Sequence, residues 1–147
     1  MLMRMRPDQV QVHWEEIKVS IYESLPVWSG ERGSLMNDIL TGILTDQITV
    51  WVSYQEVEGV KVIDSIATTT IVANDFAKVK SLLLFTLFGY MNIPEESWIE
   101  AFDAMTKHAK QLGCDNIICY SDNEAILEQA KLFKGKMTTM VTFPLGG

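Results

Sequence analysis

The chain has 147 residues, of which 48% are hydrophobic and 21% charged, with a net charge of −7. This length and composition fit one globular domain (residues 1–147) that can bury a core, and they exclude a disordered chain. The excess of acids argues against a nucleic-acid partner, because no basic surface is evident to release phosphate counterions.

The cysteines and the N-terminal residues indicate in which cellular compartment we expect the protein. Two cysteines, Cys114 and Cys119, are too few for a disulfide framework and flank a predicted strand, so we expect reduced core thiols of a cytosolic protein. The N-terminal residues lack the apolar segment of a signal peptide. The longest apolar run is too short to cross a bilayer. We expect no membrane partner and no secretion.

A short strand and two helices are predicted first. Leu2, Met3 and Met5 indicate the strand. Asp8 is the predicted N-cap of the first helix, with Gln11 at capping-box spacing. The apolar residues of that helix recur at helical spacing and form one face: Val10, Trp14, Ile17, Ile21 and Leu25.

The second helix follows a predicted loop. Residues 28–33 form the loop, and Ser34 is the predicted N-cap. The apolar positions of this helix are Leu35, Ile39, Leu40, Ile43 and Leu44.

From Gln47 the apolar period changes to two, which indicates strands. The sequence from Glu56 to Gly59 predicts a turn, and residues 60–72 form a long β-branched strand. The pair therefore predicts an antiparallel hairpin. Trp51 lies on the polar register of its strand, so either helices cover both faces of the hairpin, which we favour, or Trp51 belongs to a partner-binding patch.

The continuous apolar run of residues 81–88 predicts a strand that is buried on both faces. A helix follows from Glu95 to about Leu112, and Gly113 is its predicted C-terminal stop. The predicted inner face of this helix consists of Trp98, Ile99, Phe102, Met105, Ala109 and Leu112.

Three more elements complete the prediction. Residues 116–120 form a short buried strand, and Ser121 with Glu124 caps a fourth helix that runs to about Phe133. Residues 136–143 form a last strand. The order predicts an α/β (α+β) fold in which about four helices flank a mixed, mostly antiparallel sheet.

This succession resembles the GNAT superfamily of acyl-CoA N-acyltransferases over nearly the whole chain. Residues 5–8 resemble that family's entry into its first helix, and residues 98–114 resemble its third helix, which typically ends in Ala-x-x-x-Gly. Residues 121–123 and 130–135 are similar to its fourth helix and the following turn.

The resemblance implies a coenzyme loop that this sequence does not reproduce. In the family, a Gly-rich loop with a basic residue opens the third helix and holds the coenzyme pyrophosphate on backbone N–H groups and the helix dipole. Residues 89–97 contain one glycine and no lysine or arginine, and Pro94 removes one N–H group. Glu95 and Glu96 place two carboxylates where the phosphates would lie, although acids are also ordinary in a first helical turn.

The catalytic residues implied by the resemblance are also missing. The family's frequent tyrosine acid falls on Ala130, and Tyr120 precedes the helix. The acids on or beside the hairpin are Glu56, Glu58 and Asp64, of which the two glutamates lie in the turn. Asp64 is therefore the residue we name as a possible base, with water as the alternative.

No metal site is predicted. His108 lies on the flank of its helix among lysines, far in sequence from His13. Cys119 has no basic group close in sequence and is predicted to be a core residue rather than a nucleophile.

Two functions follow from the resemblance. The first, which we favour, is a non-catalytic GNAT-like module that binds protein partners or itself. Small proteins of this kind resemble bacteriophage-encoded ones, some of which are virion components. Such a module would need no cofactor. The alternative is an atypical N-acetyltransferase that uses acetyl-CoA. The pantetheine arm would then bind backbone groups of Phe85, Thr86, Leu87, Phe88 and Gly89. The expected location is the cytoplasm, or the virion for a phage protein.

Overall fold

A computed structural model describes residues 1–25, 32–120, 124–138 and 141–145 of the chain. These residues form one five-stranded sheet in which the strands follow their order along the chain. Its strands are β1 (Leu2–Met5), β2 (Ile48–Val57), β3 (Val60–Asn74), β4 (Val79–Gly89) and β5 (Asn116–Cys119). Strands β1 to β4 are antiparallel, whereas β5 runs parallel to β4. The predicted mixed, mostly antiparallel sheet is confirmed.

The first predicted helix is two helices, α1 (Pro7–Val12) and α2 (Trp14–Glu23), which meet at His13. The predicted N-cap at Asp8 is wrong. The helix begins earlier, because the backbone N–H of Arg6 donates a 3.0 Å hydrogen bond to Oε1 of Gln9. Asp8 instead pairs with the Arg6 side chain at 3.2 Å within the first turn.

Helix α3 (Arg32–Leu44) begins before Ser34, so the predicted cap at that residue is also wrong. The predicted loop at residues 28–33 lies largely outside the described residues. Helix α3 approaches β2 closely, since a Cβ added at Gly42 would lie 2.9 Å from Cδ1 of Ile48. Its inward residues are Met36, Ile39 and Ile43, whereas Leu44 is exposed.

Helix α4 (Glu95–Gln111) matches its predicted bounds, and its inner face agrees with the prediction at Met105 and Ala109 only. Met105, His108 and Ala109 are buried against the sheet, and Gly113 ends the helix region with φ +74. The predicted inner residues Ile99, Phe102 and Leu112 are 50%, 40% and 39% exposed.

The sheet is covered on both faces by separate cores. One face packs against α1, α2 and α3 through Val10, Ile21, Ile43, Val50 and Val52. The other packs against α4, where Trp51 is 3% exposed and lies with Leu82, Met105 and Ala109. Helices therefore cover both faces of the hairpin at Trp51, as predicted, and Trp51 is no surface patch.

The C-terminal prediction is wrong in one element. Helix α5 (Glu124–Leu132) forms as expected, with the Phe133 ring stacked on Phe102 at a centroid distance of 4.4 Å. The predicted strand at residues 136–143 is absent from its described part, where residues 136–138 and 141–143 have no regular secondary structure. The alternation of apolar and polar residues alone does not place a strand in a sheet, because the strand also needs a hydrogen-bonding partner. In the described part of the chain, no helix is both long and apolar enough to cross a membrane.

Candidate functional site

Strands β4 and β5 are neighbours over only part of their length. Their parallel pairing begins at Ser81 with Asn116 and ends at Leu84 with Cys119. Strand β4 continues to Gly89 beyond that point, and within the described residues β5 does not follow it. Residues 85–89 therefore present strand N–H and C=O groups toward the side that β5 has left.

A β-bulge lies where the two strands separate. Thr68 of β3 faces Thr86, but the next residue, Thr69, faces Leu84, so Phe85 is an extra residue in β4. A bulge bends its strand and increases the local twist, and bulges are common beside active sites. The bulge thus lies at the point in β4 where the pairing with β5 ends.

The side chains of β4 do not lie in the plane between the strands. Phe85 packs against the core under α1–α3, whereas Leu87 packs against the core under α4. Strand side chains stand roughly perpendicular to their sheet. The edge of β4 at residues 85–89 is therefore formed by backbone groups, with apolar side chains on both faces of the sheet beside it.

Asp64, the residue named as a possible base, lies at a second bulge. Ser53 pairs with Ser65 and Tyr54 with Ile63, so Asp64 is the extra residue of β3. Asp64 is 0% exposed. Its Oδ2 accepts a 3.2 Å hydrogen bond from Nε2 of Gln55, and its Oδ1 accepts one of 3.0 Å from the Ser65 hydroxyl.

The same residues hold the segment that joins β4 to α4. The Tyr90 N–H donates to the Asp64 carbonyl at 2.8 Å. Nε2 of Gln55 also lies 3.3 Å from the carbonyl oxygen of Asn92. Asp64 and Gln55 therefore fix the start of this connection to β3 and β2.

The N-terminus of α4 is acidic and has no side-chain cap. Its N-cap residue is Pro94, and Glu95 and Glu96 occupy the first turn. Both glutamates are exposed, so water and salt weaken their field. The structure thus places the two carboxylates at the positive end of the helix dipole, as the sequence predicted.

A cavity of about 270 Å³ that is widely open to solvent lies between α3 and the sheet. Phe85 and Leu83 of β4 form one side of it, and Asp38 of α3 contributes a carboxylate. The remaining lining residues come from α3, β2 and β3: Leu35, Ile39, Ile48 and Thr70. Asp38 was not among the site residues predicted from the sequence. The signal was its position beside Ile39 and one turn after Leu35, next to the apolar face of the helix.

His108 is buried on the inner face of α4, not on its flank as predicted. Its Nδ1 lies 3.2 Å from an Arg4 guanidinium nitrogen, and its ring meets Trp51 edge-on at 5.2 Å between centroids. An arginine only donates, so Nδ1 accepts and the imidazole is neutral. Burial lowers the pKa of His108 below its usual value, and the charge of Arg4 lowers that pKa further.

The other named residues contribute little to the site. The backbone of Glu56 lies opposite that of Lys61 in the hairpin, and Glu58 lies in the turn with φ 52. The prediction of two core thiols is wrong for Cys119, which is exposed, whereas Cys114 is partly buried and both are free. Among the described residues no cluster of three or more histidine, cysteine or acidic side chains is placed to hold a metal.

Among known proteins, solved structures resemble this chain and show its fold. No protein-family model matches the chain, and no curated protein sequence matches it. Solved structures do match over nearly the full length. An aminoglycoside acetyltransferase, meta-AAC0020 from an uncultured soil metagenomic sample, is similar with a TM-score of 0.69 at 12% identity, covering 99% of this chain and 95% of the other.

Two further structures carry coenzyme-derived ligands. AAC(6')-Iy in complex with a bisubstrate analogue of CoA is similar with a TM-score of 0.65 at 15% identity, covering 100% of this chain and 97% of the other. A predicted acetyltransferase from Clostridium acetobutylicum with acetyl-CoA is similar with a TM-score of 0.64 at 10% identity, covering 99% and 95%. The chain has the GNAT acetyltransferase fold, as the sequence resemblance implied.

Proposed function

We propose that this chain is an acyl-CoA-dependent N-acyltransferase with an atypical coenzyme site. The observation that carries the proposal is the edge of β4 at residues 85–89, with which no strand among the described residues pairs (the free edge of β4). It begins at the bulge of Phe85, where pairing with β5 ends. From the sequence alone, this enzyme was the alternative, and a non-catalytic module was the function that we favoured. Coenzyme-bound solved structures of the same fold support it.

The pantetheine part of a coenzyme suits this edge. Pantetheine is an extended chain with two amide groups, and an extended amide chain can add to a free strand edge through main-chain hydrogen bonds. In a strand, successive residues direct their N–H and C=O groups to alternate sides, so about half of those in residues 85–89 are available to such a ligand. The apolar side chains on both faces of the sheet beside this edge would exclude water from a thioester.

The diphosphate part suits the structure less well. It would meet the N-terminus of α4, where Glu95 and Glu96 oppose its charge and Pro94 offers no N–H group. A like charge at 4–6 Å in an exposed setting costs on the order of 1 kcal/mol. We therefore expect weaker coenzyme affinity than a basic, glycine-rich loop would give, rather than no binding.

The reaction would proceed by direct transfer. An acyl-CoA supplies an acyl group activated as a thioester; the neutral amine forms the new C–N bond, the C–S bond breaks, and the sulfur leaves as a thiolate that takes up a proton. The amine proton goes to water or to a carboxylate. Because Asp64 is completely buried and both of its oxygens accept hydrogen bonds, we propose water as the acceptor and a positioning role for Asp64.

A second function is a non-catalytic module that binds protein partners, as in a virion component. The acidic start of α4 supports it, together with the absence of a tyrosine at position 130, where alanine stands. This reading requires no acyl donor and predicts that the free edge of β4 has no coenzyme ligand.

Isothermal titration calorimetry of the purified chain with acetyl-CoA and with CoA separates the two functions. The enzyme proposal predicts saturable binding of both, and release of free thiol from acetyl-CoA when a panel of primary amines is added. No heat at millimolar ligand, from a protein whose circular dichroism shows it folded, would overturn the enzyme proposal and leave the binding module.

A further inference from the structure

We propose that the cavity between α3 and the sheet binds a primary amine carried on a single hydrophobic group, such as one aromatic ring, with Asp38 holding the ammonium. Acylation of the bound amine rests on the proposed function. Binding of the amine itself does not depend on it, because the cavity and its carboxylate exist without a coenzyme.

The volume of the cavity matches a small ligand. Its volume is about 270 Å³, just below the usual range of pockets for drug-sized molecules, which begins near 300 Å³. A cavity of about 150 Å³ lined by apolar side chains holds benzene. The cavity therefore has room for one ring with a short alkyl chain, and because it is open to solvent, a longer ligand would extend beyond its walls.

The walls favour an apolar ligand. Five of the seven lining residues are leucine, isoleucine or phenylalanine. The hydroxyl of the lining residue Thr70 already donates to the carbonyl of Gln47 at 2.9 Å. A ligand with many hydroxyl or amino groups would leave those groups without partners against these walls, which costs free energy for each one.

Asp38 supplies the charge that selects an amine. It is the one carboxylate among the lining residues and is itself exposed, so it marks the open end of the cavity. Among the described residues it has no ion-pair partner. A charge-assisted hydrogen bond from an ammonium to a carboxylate is about twice as strong as a neutral one.

The position of the cavity connects it with the free edge of β4. Phe85, the extra residue of the bulge, also lines the cavity, and so does Leu83. The cavity therefore borders the strand at the point where β5 departs from it. A hydrophobic group packed on Phe85 is therefore beside the edge proposed for the acyl donor, and direct transfer needs the amine and the thioester to be held close together.

This proposed preference differs from the ligand of one structurally similar protein. One of them, meta-AAC0020, is described as an aminoglycoside acetyltransferase in complex with sisomicin, a ligand with several amines and sugar-like rings. The apolar walls and the one carboxylate of the present cavity suit a monoamine with a hydrophobic group instead.

The test measures binding of three probes by calorimetry: 2-phenylethylamine, its neutral analogue 2-phenylethanol, and sisomicin. The proposal predicts that 2-phenylethylamine binds at least ten-fold more tightly than either of the others. Asp38→Asn should reduce 2-phenylethylamine affinity by at least ten-fold and leave 2-phenylethanol unchanged. Asp46→Asn is the matched control, because Asp46 follows α3, lies outside the cavity lining and has φ 64, which asparagine tolerates.

A second variant keeps the proposal testable if Asp38→Asn does not fold. Leu35→Trp places a larger side chain in the cavity and should abolish binding of 2-phenylethylamine while acetyl-CoA still binds. Equal affinity for the amine and the alcohol, tighter binding of sisomicin, or an unchanged affinity in a folded Asp38→Asn or Leu35→Trp variant would overturn the proposal.

Coenzyme binding distinguishes this inference from the proposed function. If 2-phenylethylamine binds through Asp38 but acetyl-CoA gives no heat, the amine site stands and the enzyme proposal fails. If acetyl-CoA binds and sisomicin, but not 2-phenylethylamine, is acetylated, the enzyme proposal stands and the amine site fails.

Discussion

The hydroxyl oxygens of Thr68 and Thr86 lie 2.6 Å apart across β3 and β4, and both side chains are buried. This pair lies directly beside the bulge at Phe85. One hydroxyl donates to the other, so the polar atoms are satisfied in an apolar layer that also contains Val50 and Ile66. The pair thus fixes the register of the two strands on the near side of the free edge of β4.

Thr86→Val should destabilise the protein by about 1–3 kcal/mol, because it leaves the buried Thr68 hydroxyl without its partner. The double variant with Thr68→Val replaces both hydroxyls by methyl groups of the same shape and should recover most of that loss. Urea denaturation measures both. A double variant that is less stable than Thr86→Val would show that the hydrogen bond is not the reason for the cost.

Removing the acids at the start of α4 should strengthen coenzyme binding. For the double variant Glu95→Gln and Glu96→Gln we expect acetyl-CoA affinity to rise by about five-fold per charge removed, from the Coulomb energy of a screened pair. Added salt should raise the affinity of the unmodified protein for the same reason. Calorimetry at two salt concentrations measures both effects.

A matched control exists in α2, whose first turn carries Glu15 and Glu16. The double variant Glu15→Gln and Glu16→Gln makes the same change of charge at another helix start and should leave acetyl-CoA affinity nearly unchanged. An equal gain in both double variants would mean that net charge, and not the position of the diphosphate, governs binding.

Stability should fall in acid because of His108. Its pKa is lowered in the folded protein, so the unfolded chain takes up the proton first as the pH falls below about 6.5. The contribution of His108 to the free energy of unfolding is therefore fully present above that pH. It declines as the pH falls further, until the pH reaches the lower pKa of the folded protein. The free energy of unfolding should change by less than about 1.4 kcal/mol per pH unit, which is the limit for uptake of one proton.

Urea denaturation between pH 7.5 and 5 compares the protein with His108→Gln and His13→Gln. His108→Gln should lose part of the acid-dependent decline. His13, which is exposed between α1 and α2, serves as the control, and its variant should retain the decline. Identical pH dependence in all three proteins would contradict the assignment to His108.

Asp64→Asn should lower kcat for amine acetylation by less than about ten-fold, because a general base contributes 10²–10⁴-fold and this carboxylate is buried. The variant can fold: the asparagine oxygen can accept from Gln55, and the Ser65 hydroxyl can reverse and accept from the new amide. Steady-state kinetics with acetyl-CoA measures the effect. A loss of 100-fold or more with unchanged melting temperature would identify Asp64 as the base.

The outline of the fold was predictable because it depends on local patterns. The alternation in residues 48–57 and the continuous apolar run in residues 81–88 identified β2 and β4, and helical spacing identified α4. The predicted strand at residues 136–143 is wrong where it is described, because alternation does not show whether a partner edge is available. The inner face of α4 was predicted correctly at Met105 and Ala109. The rest was wrong, because sequence ranks Phe102 above His108 for burial, whereas His108 contacts Arg4 and Trp51.

The sequence by itself determined the type of sheet, which is mixed, and the presence of helices on both of its faces. It also determined that a proline and two glutamates stand at the start of α4. Only the tertiary structure decided the features on which the proposed function depends. The extra residue Phe85 follows from its pairing partners in β3, the free edge from the departure of β5, and the cavity at Asp38 from the packing of α3 on three strands. Each is a relation between segments far apart in the chain, set by hydrogen-bond register and packing, and local periodicity carries no information about either.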